Sequence, residues 1–400
     1  MQKKNIFPLF TLSMMMYCIA YSTVRNFATL FLRSQGFTNT EVGIFYSLGS
    51  AFSIVSQLFL GTLLDKHEKL TAKHLLTIVT WLVVFDAAML YFARAKWVIF
   101  WGFVVMNMVI LLDKSLYNMF GLAYVNDGYS LDYSLSRGIG SFSTSFTTLL
   151  TGMIIGRFSE RYIFIIFFIM QVGLLVVLRR LPYVHRNLSQ GTAVPSSTAA
   201  ADPDEDSRTV SLLDKSLWLL LVSMLLVYSC YNAGNNYHIN IIEALGGGSR
   251  ELGISDAIMA VVELPAMAAF LPLTKKFSFR KILCFSMICF VLKVICFAFA
   301  TNMYQIYASQ LLQLFSYGLF IPASAYYFNQ ILVESRRGRG QALLGIFTSG
   351  LSGLLTSPVI GMILDHFPVK SMLLMVSAVA VLGIAGAIIS TRQIARRTAL

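Results

Sequence analysis

The sequence predicts an all-α integral membrane protein with twelve transmembrane helices arranged as two pseudo-symmetric six-helix bundles. Three observations carry that prediction. Of 400 residues, 56% are hydrophobic and only 12% are charged, about half the charged share of a soluble domain. The mean hydropathy is +0.70, and the apolar residues fall in blocks long enough to cross a hydrocarbon core of ~30 Å at ~1.5 Å per residue. Most blocks also lack the polar face that a helix of a soluble protein keeps toward water.

Taken in order, the apolar spans run over 6–32, 40–64, 72–93, 97–125, 136–158, 160–180, 214–242, 251–274, 280–300, 303–332, 340–365 and 368–391. The opening MQKKNIFPLF has a basic start but no small-residue cleavage site, so it reads as the first retained helix. An even number of spans puts both termini on one side. Loops and tails on that side hold 21 Lys and Arg against 7 on the other, so both termini are expected in the cytoplasm and the protein in the inner (plasma) membrane. The polar stretch 183–213, containing NLSQGTAVPSSTAAADPDEDSR, is a solvated linker. It separates bundles expected at 1–182 and 214–400.

The net charge of +12 and pI near 9.5 could suit nucleic acid. The basic residues instead sit in short loops beside apolar blocks, with no basic stripe interleaved with aromatics, which excludes a nucleic-acid partner. The five cysteines, at 18, 230, 284, 289 and 296, lie in apolar blocks without a CxxC pair. They predict packing and neither disulfides nor a metal site. The run Gly152-Met153-Ile154-Ile155-Gly156-Arg157-Phe158 ends the fifth span, and Gly361-Met362-Ile363-Leu364-Asp365-His366-Phe367 ends the eleventh. Shared residues at equivalent places point to a parallel repeat.

Between the second and third spans runs Gly61-Thr62-Leu63-Leu64-Asp65-Lys66-His67-Glu68-Lys69. It resembles the cytoplasmic loop motif of the major facilitator superfamily, with Glu68 where glycine is usual. The resemblance implies a fold of six plus six helices and a conformational role for Gly61, Asp65 and Lys66. In that family the contact latches the outward-open state. Val42-Gly43-Ile44-Phe45 through Ser50-Ala51-Phe52-Ser53 to Gln57, Phe59 and Gly61 is similar to the second helix of the lactose-permease-like branch. That branch includes oligosaccharide, nucleoside and phenylpropionate proton symporters. Arg137-Gly138-Ile139-Gly140-Ser141-Phe142 resembles its fifth-helix opening.

An ionisable residue at the bilayer centre costs at least ~2.5–3.5 kcal/mol on insertion scales, so each needs a reason to be there. Glu263 lies near the middle of the eighth span, two residues before Pro265, whose missing N–H loosens the helix. Met259-Ala260-Val261-Val262-Glu263-Leu264 resembles the permease region whose glutamate joins substrate binding to proton coupling. Lys293 falls where that permease has an arginine facing its coupling acid; the other reading is a snorkelling lysine. Asp113, in Leu111-Leu112-Asp113-Lys114-Ser115-Leu116, resembles the phenylpropionate-permease side of the branch, and shares a face with Tyr117 and Tyr124. Asp86 in the third span reads equally as a buried ion pair or a proton relay. The proton-coupling candidates are therefore Glu263, Lys293, Asp113 and Asp86.

Substrate-binding candidates lie on the helices that line cavities in this fold. Arg25 and Tyr21 share a face of the first helix, where Arg25 either snorkels or binds substrate. Arg137 matches an arginine that binds sugar hydroxyls, or is a topological charge. The seventh span carries Tyr228, Tyr231, Asn232, Asn235 and His238 at three- to four-residue spacing, and the tenth carries Tyr307, Gln310, Gln313, Tyr317 and Ser324. Such stripes predict a hydrogen-bonding cavity or interhelical glue. By resemblance, the permease's paired acids fall on Asn232 and Asn235, and their basic partners on Ser349 and Gln310. Its tenth-helix histidine and proton-carrying acid fall on Gln313 and Ser316.

The expected function is proton-coupled import of a small polar solute (a sugar, oligosaccharide or nucleoside) by a monomer using alternating access. The alternative is a facilitator or a drug/proton antiporter. With no Ser/His/Asp set, HExxH or Gly-rich phosphate loop, no enzyme, cofactor or metal is expected. The partners are the solute, protons and the lipid bilayer.

Overall fold

Each predicted span is built as helix in the computed structural model of the protein, which describes residues 3–66, 71–184 and 210–398. The first six helices are α1 (Phe7–Ser34), α2 (Asn39–Lys66), α3 (Ala72–Phe92), α4 (Lys96–Asn126), α5 (Tyr133–Arg157) and α6 (Tyr162–Arg180). After the linker come α7 (Lys215–Asn236), α8 (His238–Glu243), α9 (Ser249–Thr274), α10 (Phe279–Phe299), α11 (Met303–Gln310), α12 (Tyr317–Ile331), α13 (Glu334–Gly345), α14 (Ser352–His366) and α15 (Val369–Thr398). Two short strands, β1 (Lys3–Asn5) and β2 (Tyr129–Ser130), pair in parallel. Among the described residues, nine helices are long and apolar enough to cross a membrane. The other predicted spans, 40–64, 251–274 and 303–332, are α2, α9 and the broken α11–α12 segment. Residues 185–209 of the linker, and Glu68, lie outside the described set.

Local chemistry fixes the helix ends. The Thr38 hydroxyl accepts from the Glu41 N–H (3.1 Å) while the Glu41 carboxylate accepts from the Thr38 N–H (2.8 Å), a reciprocal capping box at the start of α2. Asp132, Asp214 and Asn302 cap α5, α7 and α11 through their side-chain oxygens. At the end of α1, Gly36 takes φ 80°, and the Phe37 N–H reaches back to the Leu32 carbonyl at 3.2 Å.

Three spans are discontinuous. The seventh breaks between α7 and α8. The tenth tightens into a 3-10 turn over Leu311–Leu314, and the eleventh widens into a π-turn over Ile346–Leu351. Pro265, Pro322 and Pro358 lie inside α9, α12 and α14. Each removes one backbone hydrogen bond. Periodicity sees none of these breaks, because the apolar pattern continues across them.

The chain packs as two compact units. One gathers Met1–Asn187 with His238–Val261 and Pro358–Asp365. Its core centres on α1, α4 and α6, with Phe10, Met14, Tyr17, Leu116, Tyr117 and Leu178 buried together. Segments from beyond the linker join it by close approach. A Cβ on Gly152 would stand 2.6 Å from the Ser249 carbonyl oxygen and 3.0 Å from the Gly253 Cα, so only glycine fits where α5 meets α9. The other unit gathers Leu188–Tyr237, Val262–Ser357 and His366–Leu400. There α15 lies against α7, with Gly383 and Gly386 over Ser223, and α10 contacts α15, α12 and α7.

Candidate functional site

Two charged side chains of the second unit are joined by one amide. Lys293 of α10 donates from Nζ to Gln313 Oε1 at 2.7 Å, and Gln313 Nε2 donates to Glu263 Oε1 of α9 at 2.6 Å. Gln313 is fully buried and Lys293 is 3% exposed, whereas Glu263 is half-buried. Gln313 sits on the 3-10 turn between α11 and α12, and that irregular turn aims its side chain between two other helices. Beside it, Gly318 leaves room for Ala266 and the Glu263 carbonyl, drawing α12 onto α9.

The polarity of the bridge follows from the donor set. An ammonium only donates and a carboxylate only accepts, so an amide facing both must turn its oxygen to Lys293 and its nitrogen to Glu263. Each charge, costly to bury alone, thereby gains a partner. An amide holds the two charges in register without taking up or passing on a proton. An imidazole at the same place could do so. Sequence reading assigned Gln313 to substrate and Glu263 with Lys293 to coupling; the structure joins the three.

Aromatic and amide groups surround this cluster within the same unit. Tyr231 stacks on Tyr317 with ring centroids 5.1 Å apart and an interplanar angle of 17°. Tyr228 packs among Tyr231, Phe290 and Phe320. Asn232 donates to Ser352 Oγ at 2.9 Å. The π-turn over Ile346–Leu351 inserts a residue into the helix and rotates the following side chains, bringing Ser352 round to α7. Asn236 and Tyr237 both bond to Ser357. Gln310 is fully buried at the end of α11, and Asn235 is half-buried.

The first unit holds the remaining candidates. Asp113 is 1% exposed and its Oδ1 has no hydrogen-bond partner. Two tyrosines lie beside it, Tyr17 stacked on Tyr117 at 4.3 Å, and Tyr117 donates its hydroxyl to the Ser13 carbonyl at 3.3 Å. Tyr21 lies 6.2 Å from Tyr17, ring to ring. Asp86 is likewise buried with Oδ2 unpartnered; its other oxygen stands 3.1 Å from the place a Cβ on Gly102 would occupy. The guanidinium of Arg25 lies over the Tyr46 ring at 4.8 Å. Arg137 is exposed near the start of α5. The side chains of Lys114, and of Asp65 and Lys66 in the last turn of α2, lie outside the described residues, and Gly61 stands earlier in the same helix.

His238, read from the sequence as one of the α7 stripe, belongs to this first unit. Its Nδ1 is 2.8 Å from Asp256 Oδ1 and its Nε2 is 3.3 Å from Ser255 Oγ, all three residues buried. Asp256 was not among the sequence candidates. It lies near the start of a span, where an acid resembles an ordinary helix-end charge, and 18 residues from its histidine no spacing rule announces the pair.

These features define a multi-pass helical transporter. The profile of the MFS_1 like family matches residues 10–375. The chain belongs to that family, within the major facilitator superfamily, and is a membrane transporter and not an enzyme. It is similar to the maltose permease of Geobacillus stearothermophilus, 24% identical over 173 residues. That match takes in 43% of this chain and 44% of the permease, so the chain spans less than half the length of this relative. Among solved structures, the nucleoside transporter NupG matches with a TM-score of 0.79 at 14% identity, covering 96% of this chain and 98% of that one. A bacterial homolog of the human lysosomal transporter Spinster, inward-facing and occupied, matches with a TM-score of 0.72 at 10% identity, covering 98% of each chain. At such identities the likeness establishes the fold alone.

Proposed function

We propose that the protein is a proton-coupled importer of a small polar solute (a sugar, oligosaccharide or nucleoside) working by alternating access as a monomer in the inner membrane. The observation that carries this reading is the Glu263–Gln313–Lys293 bridge. A half-buried carboxylate on a helix loosened by Pro265 supports a role for Glu263 in proton exchange. The amide that holds it is also a group a solute hydroxyl can compete for. When Glu263 is ionised, the amide and Lys293 hold the negative charge in place. When it is protonated, that hold weakens and the carboxyl can donate to solute. Stacked Tyr231 and Tyr317 offer a ring face to a sugar or base. A maltose permease and a nucleoside transporter among similar proteins favour a polyhydroxylated solute.

The test is uptake into proteoliposomes over a solute panel with a trapped pH dye. Glu263→Gln is expected to abolish accumulation driven by a pH gradient while leaving solute counterflow intact. Undiminished accumulation by this variant would reject the coupling role.

A further inference from the structure

The start of α2 shows an unusual division of labour among its exposed N–H groups. A helix leaves its first amides without intrahelical partners. Here the Glu41 N–H goes to the Thr38 hydroxyl of its own capping box at 3.1 Å. The two preceding amides are satisfied by the far end of the chain. Asp365, in the last turn of α14, accepts from the Asn39 N–H at 2.9 Å through Oδ1 and from the Thr40 N–H at 2.8 Å through Oδ2. The same two oxygens take the Asn39 side-chain amide at 2.9 Å and the Thr40 hydroxyl at 2.5 Å. One carboxylate thus receives four hydrogen bonds, at the positive end of a helix dipole.

Neighbouring contacts converge on the same place. Asn240 of α8 donates to Asn39 Oδ1 at 2.7 Å, and Arg33 at the end of α1 pairs with Glu243. Gly361, one turn before Asp365, has no space for a Cβ against the Asn39 carbonyl. The segments His238–Val261 and Pro358–Asp365, which supply these contacts, belong to the first unit, although α9 and α14 each run on into residues of the second. They leave it at weak points: the α7–α8 break, the Val261 carbonyl that Pro265 cannot serve, and Pro358 itself.

We infer that Asp365 is a gating residue of the transport cycle. Its carboxylate clamps the start of α2 to the last turn of α14, and must let go for these two helix ends to part. Oxygens of one side chain satisfy two backbone amides and two side chains, so the clamp forms or breaks as a unit. The inference rests on the alternating-access reading but not on proton coupling or on the identity of the solute.

Hydrogen exchange followed by mass spectrometry on the full-length protein tests it without a solute. Asp365→Ala is expected to speed exchange at Asn39 and Thr40 by about tenfold, the ratio that one lost hydrogen bond to a charged group represents. It is also expected to speed exchange in 238–243 and 249–256, which do not touch Asp365. A purely local cap would leave those two segments unchanged, and that result overturns the gate. Thr40→Val, which removes one of the four bonds and leaves the carboxylate, gives the same pattern at smaller amplitude; if Asp365→Ala does not fold, Thr40→Val decides alone. In transport, once a solute is known, the gate variant alters maximal rate and apparent affinity together. Failure of uptake with every solute tested, alongside the exchange pattern above, would reject the proposed solute class and leave the gate standing.

Discussion

Among the described residues, acids inside the apolar helices come in two kinds, and the difference lies in their partners. Glu263 meets an amide and, through it, an ammonium. Asp113 and Asp86 each keep a carboxylate oxygen without a hydrogen bond inside helices of the first unit. A buried carboxylate oxygen without a hydrogen bond costs free energy, so Asp113 is held in α4 at some cost to stability. The expected consequence is that Asp113→Asn, which keeps shape and removes the charge, leaves the melting temperature of the purified protein unchanged or raises it while transport changes. A fall of about 2 °C or more, a loss on the order of 1–2 kcal/mol for a chain of 400 residues, would mean that the carboxylate is structurally satisfied in a way the amide is not. Glu263→Gln, by contrast, gives the Gln313 nitrogen a neutral acceptor and leaves Lys293 without its balancing charge.

Helix ends and helix breaks do most of the positioning. Arg161, between α5 and α6, illustrates the ends. Its Nη1 donates to the Tyr91 carbonyl at 2.9 Å and the Ala93 carbonyl at 2.8 Å, where α3 stops, and its Nη2 donates to Gln35 Oε1 at 2.7 Å. One guanidinium therefore closes α3 and ties it to the end of α1. Arg161→Ala should lower thermal stability by about 1.5–3 kcal/mol, the scale of lost hydrogen bonds to a charged group. Arg161→Lys should restore little, because an ammonium has no planar fork to span both sets of acceptors. Thermal unfolding of the two purified variants checks this, and full rescue by lysine would show that charge alone suffices. The breaks are the other device: the 3-10 turn carries Gln313 to Glu263, and the π-turn carries Ser352 to Asn232.

For the molecule as a whole, the asymmetry of 21 basic residues against 7 is the argument for orientation. Fluorescent and phosphatase reporters fused at the N- and C-termini should both report the cytoplasm, and a phosphatase-active terminus would overturn the assignment. Gly361 and Asp365 at the end of α14 stand at the spacing of Gly61 and Asp65 at the end of α2. The start of α2 receives Asp365, so α2 bears a receptor at one end and the same five-residue pattern at the other. Alternating access asks for such paired fastenings, because closing one end of the carrier is useful only if the other can be released.

The helical membrane fold and the polar residues inside apolar blocks were legible from composition and local order, and the family from the resemblance carried by Gly61–Lys69: oil demands long apolar helices and makes a charge within them conspicuous. Glu263, Lys293 and Gln313 were each visible as polar residues in apolar blocks. That one bridges the other two was not, because the bridge depends on a 3-10 turn that the apolar pattern runs straight through. Asp256 beside His238, Arg161 on the end of α3 and Asp365 on the start of α2 went unread for a related reason. Each looks like an ordinary helix-end charge, and its partner lies tens to hundreds of residues away. Burial is a property the sequence states by itself; pairing is decided only when distant helix ends are packed together, since a hydrogen bond requires position to within a fraction of an ångström.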